Sequence, residues 1–206
     1  MLTKKQLKIL GIFLKNTFRE YTFREIKELS KEKSNSRMQN AIKTFLKEDI
    51  ITERVIGKFK LYSINHKNDK VYSYFDILIK ENLNQRIKYT LNILEEGLLR
   101  HTFFYSLVIF GSYSINEQKS NSDLDIAVFI ENEKDKKIIE AVLNSANNKS
   151  LITIDGFAIT KNDFLEMLKI DEENLGKQIA RKHLLIHNSP IFYSLLKEGI
   201  KNGFKL

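Results

Sequence analysis

Cysteine is absent from the 206-residue chain, so neither a disulfide framework nor a thiolate metal site is open to it. Tryptophan is absent too, and the one proline is Pro190. No apolar run approaches the roughly 18 to 20 residues that a membrane helix needs. The opening stretch MLTKKQLKILGIFLKN sets charges between its apolar residues. That is helix periodicity and not the unbroken apolar core of a signal peptide. These absences point away from the membrane and the secretory route and make a cytoplasmic location the default expectation.

What is present suits a globular protein. Apolar residues make up 42% of the chain, enough for a real core, and charged residues 29%, an ordinary proportion. The length suggests one large domain or two small ones. The net charge is +8, and it is unevenly spread. Residues 1–68 hold 16 Lys and Arg against 7 Asp and Glu, a net of +9; residues 69–206 hold 18 against 19, a net of −1. One end carries the whole excess, which favours a polyanionic partner for that end.

The first 65 residues read as three helices and a hairpin. Leu7, Leu10 and Leu14 recur at helical spacing, with Phe13 alongside. Thr22 followed by Glu25 is a capping-box pattern, and Ser36 followed by Gln39 is a second candidate. Met38, Ala41, Ile42 and Phe45 share one face of the helix that follows. Two β-rich runs in IITERVIGKFKLYSI are joined by Gly57-Lys58, and glycine first in a two-residue loop suits a type II′ hairpin.

That order resembles a winged helix-turn-helix domain over about residues 3–65. The resemblance implies that the third helix enters the major groove of duplex DNA and that the wing touches its backbone. It puts Ser36, Arg37, Gln39, Asn40 and Lys43 toward the groove, with Lys58 and Lys60 on the wing. Winged helices also serve as protein docking modules, so that alternative stays open. Residues 69–100 follow as one long helix or two, with Gly97 as the expected terminator. From residue 101 the pattern alternates strand and helix. The expected domains are therefore 1–68, a helical connector 69–100, and 101–206, in an α+β chain.

The stretch FGSYSINEQKSNSDLDIAVFI, residues 110–130, carries the chemistry. Gly111 ends an apolar strand and permits a turn that other residues would strain. It also lets backbone amides approach a phosphate closely, with the Ser112 hydroxyl as a further donor. Asp123 and Asp125 are two apart, so on a strand they share a face. Paired carboxylates repel unless a cation intervenes, and hard oxygen ligands suit Mg²⁺ or Mn²⁺. Asp155 interrupts the apolar run LITIDGFAI, where burying a lone charge is costly. If its strand lies beside that of Asp125, three carboxylates come together. His183 and His187 are four apart on an expected strand, too far to share a metal.

Gly-Ser, ten residues, then Asp-Leu-Asp resembles the nucleotidyltransferase superfamily that includes DNA polymerase beta, over roughly residues 85–165. The segment after Gly-Ser, YSINEQKS, lacks the arginine or second glycine that many members carry. The resemblance implies a mixed sheet flanked by helices. It implies that Gly111 and Ser112 hold a triphosphate, that Asp123 and Asp125 bind metal, and that Asp155 is the third catalytic and metal-binding carboxylate. The implied activity is transfer of a nucleoside monophosphate, AMP from ATP or another NTP as donor, to an acceptor hydroxyl, including one on a separate protein. Some minimal members pair with a partner in toxin–antitoxin systems. The alternative is a DNA-binding regulator or antitoxin whose nucleotidyltransferase domain is inactive or only senses nucleotide.

Overall fold

The computed structural model describes residues 1–206, the side chain of Lys15 excepted. The chain divides into two compact units, Met1–Leu78 and Ile79–Leu206.

The first unit opens with α1 (Lys4–Leu10), then β1 (Tyr21–Thr22), α2 (Phe23–Ser30), α3 (Asn35–Lys47), β2 (Ile51–Ile56), β3 (Phe59–Ile64) and the start of α4 (Lys70–Asn82). Its helices begin where side chains can satisfy free amides. Thr3 with Gln6, and Thr22 with Glu25, form complete capping boxes. The cap of α3 is Ser34, whose hydroxyl accepts from the Arg37 amide at 3.3 Å. Ser36 lies inside the helix, so the Ser36–Gln39 capping box expected from sequence does not form. Two serines two residues apart offer the same pattern, and the sequence alone does not choose between them.

The hairpin turns at Gly57-Lys58, with Ile56 opposite Phe59. Gly57 has φ +59 and Lys58 is not among the positive-φ residues, as a type II′ turn requires. Tyr21 and Thr22 add a short third strand, giving the order β1-β3-β2. Leu10, Phe13, Ile26, Met38, Phe45 and Ile50 are wholly buried in the shared core. Val71 and Phe75 of α4 belong to the same core. The stretch 69–100 thus forms two helices, and the first of them contributes to the core of the first unit.

The second unit contains α5 (Gln85–Leu99), β4 (Tyr105–Phe110), α6 (Gly111–Ser114), β5 (Leu124–Ile130), α7 (Lys136–Asn147), β6 (Ile154–Thr160), α8 (Lys161–Lys169), α9 (Leu175–Arg181), β7 (His183–His187) and α10 (Ser189–Lys201). The strand order is β6-β5-β4-β7. β4 runs antiparallel to β5 and β7, whereas β5 and β6 are parallel and are joined through α7. β4 and β5 are buried almost throughout, which explains their unbroken apolar sequence. Alternation then assigns the two faces of the sheet. Phe129 packs edge-on against Phe164 of α8 and Phe192 of α10. Gly156, one register position out of phase, faces Leu143 of α7.

Gly97 does not end α5, which continues to Leu99. A Cβ there would lie 2.8 Å from Val142 Cγ1, so this glycine permits close packing of α5 on α7.

Candidate active site

β4 ends at Phe110 and the chain turns at once into the four-residue helix α6. The turn needs φ +64 at Gly111, a left-handed conformation that favours glycine. It also needs space. A Cβ at residue 111 would overlap Asp125 Oδ2 and come within 2.9 Å of its Cγ. The carboxylate of Asp125 therefore lies against the Gly111 backbone.

The parallel register sets Asp125 directly opposite Asp155. Asp123 lies just before β5, where the Leu124 amide already donates to the Thr153 carbonyl at 2.8 Å. Asp125 shares its sheet face with Phe129, four residues on, so the acidic row opens on the side covered farther along by α8 and α10. Asp125 is half-buried, while Asp123 and Asp155 are exposed. The cost of burial expected for Asp155 falls on Asp125 instead. Strand β6 is at the sheet edge, and Asp155 is exposed there although its neighbour Ile154 is buried.

The electrostatics agree. The Asp125 carboxyl is held above the usual carboxylate range, first by burial, then by the charges of Asp155 and Asp123. Three oxygen-bearing acids with uncompensated mutual repulsion are a donor set that fits Mg²⁺ or Mn²⁺. Among the described residues, however, no three carboxylate, imidazole or thiol groups are gathered into a ready metal site.

The loop between α6 and β5 is internally braced. The Tyr113 hydroxyl donates to the Ser122 carbonyl at 3.3 Å, and the Lys119 amide donates to the Ser122 hydroxyl at 2.9 Å. Ser114 Oγ donates to the Gly111 carbonyl at 2.7 Å. Tyr113 thus ties the Gly-Ser turn to the segment that delivers Asp123. Asp163 has a structural engagement: its carboxylate accepts from the Thr160 amide, closing the capping box of α8, and from Lys136 Nζ at 3.0 Å. His183, opposite Phe110 in register, is packed by Phe192 and Tyr193 and bonded through Nδ1 to the Ile179 carbonyl at 2.9 Å. Burial pushes its pKa down to about 4.

In the first unit, a cavity of about 790 Å³ lies between α2, α3 and the hairpin. Gln39, Lys43, Lys58 and Lys60 line it together with Arg24, which the sequence reading passed over. Ser36, Arg37 and Asn40 are exposed on α3 but are not part of that lining. Arg37 is paired with Glu32 at 2.9 Å and Lys60 with Glu53 at 2.9 Å.

Residues 92–191 match the family model described as "Polymerase beta, Nucleotidyltransferase". The matched segment contains Gly111, Ser112, Asp123, Asp125 and Asp155, and it supports a nucleotidyltransferase domain in the second unit. No curated protein matches the chain. A solved structure described as "Structure of TrmBL2, an archaeal chromatin protein, shows a novel mode of DNA binding" aligns with 13% identity over 100% of this chain and 95% of its own. Its TM-score is 0.28, too low for a shared fold.

Proposed function

We propose that the chain is a Mg²⁺-dependent nucleotidyltransferase that moves a nucleoside monophosphate, AMP from ATP, to an acceptor hydroxyl. The observation that carries this reading is the Asp125 carboxylate, set against the Gly111 turn and opposite Asp155, within the matched segment. In this reading Gly111 and Ser112 receive the triphosphate through backbone amides and the serine hydroxyl. Asp123, Asp125 and Asp155 hold the divalent cation. Bound Mg²⁺ supplies positive charge to phosphate oxygens as charge develops on them. Asp155, exposed at the sheet edge, also accepts the proton of the acceptor hydroxyl. The acceptor oxygen bonds to the α-phosphorus, the bond to the bridging oxygen breaks, and pyrophosphate leaves.

The first unit, in the same proposal, is a winged helix that binds duplex DNA. The cavity between α3 and the hairpin, with Lys43 and Lys58 free of ion pairs among the described residues, supports it. A second reading keeps the DNA binding and drops the catalysis, leaving a regulator or antitoxin. The segment after Gly-Ser, YSINEQKS, which lacks the arginine or second glycine that many nucleotidyltransferases carry, favours that reading.

Incubation with ATP labelled on its α-phosphate, with Mg²⁺, with and without cell lysate, separates the two. Label transferred by the wild-type chain and not by Asp123→Asn or Asp155→Asn supports the enzyme. Absence of transfer under all these conditions, with DNA binding retained, supports the regulator.

A further inference from the structure

Strand β6 is the edge of its sheet, and its outer side is open over a short central stretch. The Leu124 amide donates to the Thr153 carbonyl, which fixes the phase of the parallel ladder. Thr153, Asp155, Phe157 and Ile159 turn their peptide groups toward β5. Ile154, Gly156, Ala158 and Thr160 therefore turn theirs outward.

Both ends of that outward row are stoppered by side chains. The Ile154 amide donates to Asn147 Oδ1 at 2.8 Å, and the Thr160 amide to Asp163 Oδ2 at 3.1 Å. Between the stoppers, the N–H and C=O of Gly156 and Ala158 have no hydrogen-bond partner among the described residues. They face a groove of about 560 Å³ between α7 and α8, floored by Phe157, Ile159 and Met167. Natural edges are commonly guarded by lysine, proline or a bulge. The sequence IDGFAIT has no lysine or proline, and its pairing with β5 runs without a register shift.

The charges at the rim choose the occupant. Lys136 is already engaged by Glu133 and Asp163. Glu140 and Glu166 are exposed and form no ion pair among the described residues. The rim is therefore acidic. Pairing with β6 of a second copy would bring two acidic rims together, which disfavours self-association.

We propose that this groove binds a short, basic, extended segment of a partner protein, added to β6 as a fifth strand. Backbone bonds to Gly156 and Ala158 provide the register, and the acidic rim selects lysine- or arginine-bearing strands. This surface is independent of the catalytic reading.

The test uses the full chain and a fluorescein-labelled pentapeptide of alternating valine and lysine, followed by anisotropy and by amide NMR shifts. Saturable binding with shifts at Gly156 and Ala158 is expected, and the valine–glutamate counterpart should bind at least tenfold more weakly. Ala158→Pro removes an outward amide but no ladder bond; because Ala158 is buried, its urea midpoint is measured alongside, and in the folded variant peptide affinity should fall at least tenfold. Glu140→Lys combined with Glu166→Lys should weaken the basic peptide and strengthen the acidic one. The proposal is overturned if neither peptide binds, if both bind alike, if Ala158→Pro binds as well as wild type, or if sedimentation shows a dimer that Ala158→Pro dissolves.

Discussion

The carboxylate of Asp125 occupies the space that a side chain at residue 111 would need. Each residue constrains the other: the glycine admits the carboxylate, and the carboxylate forbids anything but glycine. A turn and an acid fourteen positions apart in the chain are thus one structural unit. Gly111→Ala should cost about 1–2 kcal/mol from the left-handed backbone alone, and more from displacing Asp125. Urea unfolding reads the stability loss, and calorimetry should show weakened Mg²⁺–ATP binding. Wild-type affinity in Gly111→Ala would remove the carboxylate from the nucleotide site.

Asp125 makes a prediction with a definite sign. Its folded pKa is raised above the ordinary 3.8, so the folded state binds its proton more tightly than the unfolded state does. That contribution to stability is lost as pH rises from 3.8 through the raised value. At pH 7 the charged, half-buried acid opposes folding, and Asp125→Asn should raise the urea midpoint of the metal-free protein. The gain should shrink as pH falls toward 4. The same substitution should remove the strengthening of ATP binding by Mg²⁺. A variant that is less stable at pH 7 would contradict the electrostatic account.

Asp155 and Asp163 are near in sequence and differ in expected role. The Asp155 side chain is exposed and makes no hydrogen bond or ion pair among the described residues, so Asp155→Asn should leave the stability within about 0.5 kcal/mol of wild type and abolish transfer. Asp163→Asn disturbs the α8 cap and the Lys136 pair. It should cost about 0.5–2 kcal/mol and leave transfer intact. Paired measurements of activity and unfolding on both variants distinguish the roles; transfer surviving Asp155→Asn would reassign the third carboxylate.

His183 should give the fold an acid sensitivity. Its pKa, lowered to about 4 from 6.5, means that the unfolded state binds the proton more readily between those values. Stability is present in full above pH 6.5 and declines as pH falls toward 4, by at most about 3 kcal/mol at 1.36 kcal/mol per unit. His183→Gln should flatten the pH dependence of the unfolding midpoint over that window. An unchanged slope would place the acid sensitivity elsewhere.

The sequence made some of these features legible and hid others for physical reasons. The strands of the second unit were readable because burial on both faces demands unbroken apolar runs, as in YSLVIF and LDIAVFI. The Thr22–Glu25 box was readable because capping is local chemistry. The Gly111–Asp125 contact was not, since it depends on β4 and β5 pairing in one register. Nor was the exposure of Asp155, because the string LITIDGFAI does not say that its strand lies at an edge. Gly97 looked like a helix terminator until α7 was packed against it. Strand β1 has two residues, too few for any periodic signal.

The proposed DNA surface can be tested residue by residue, because the structure separates its cations. Lys43 and Lys58 line the cavity between α3 and the hairpin without an ion pair among the described residues, whereas Arg37 is held by Glu32 and Lys60 by Glu53. A cation already paired must give up that partner to reach a phosphate, so its net contribution is smaller. Lys43→Ala and Lys58→Ala should therefore each flatten the log–log salt slope by about one unit. Arg37→Ala should change it less, and should relax sequence preference only if the guanidinium leaves Glu32 for a base edge. With about six cations on phosphates, the wild-type slope should be roughly −5. A salt titration of the full chain against mixed-sequence and operator-region duplexes measures all of these. If no duplex binds at low salt, the first unit is a protein-docking module and its charge excess is ordinary surface. If Arg37→Ala proves the most damaging of the three, the Glu32 pair breaks on binding and α3 itself, not the cavity beside it, is the contact surface.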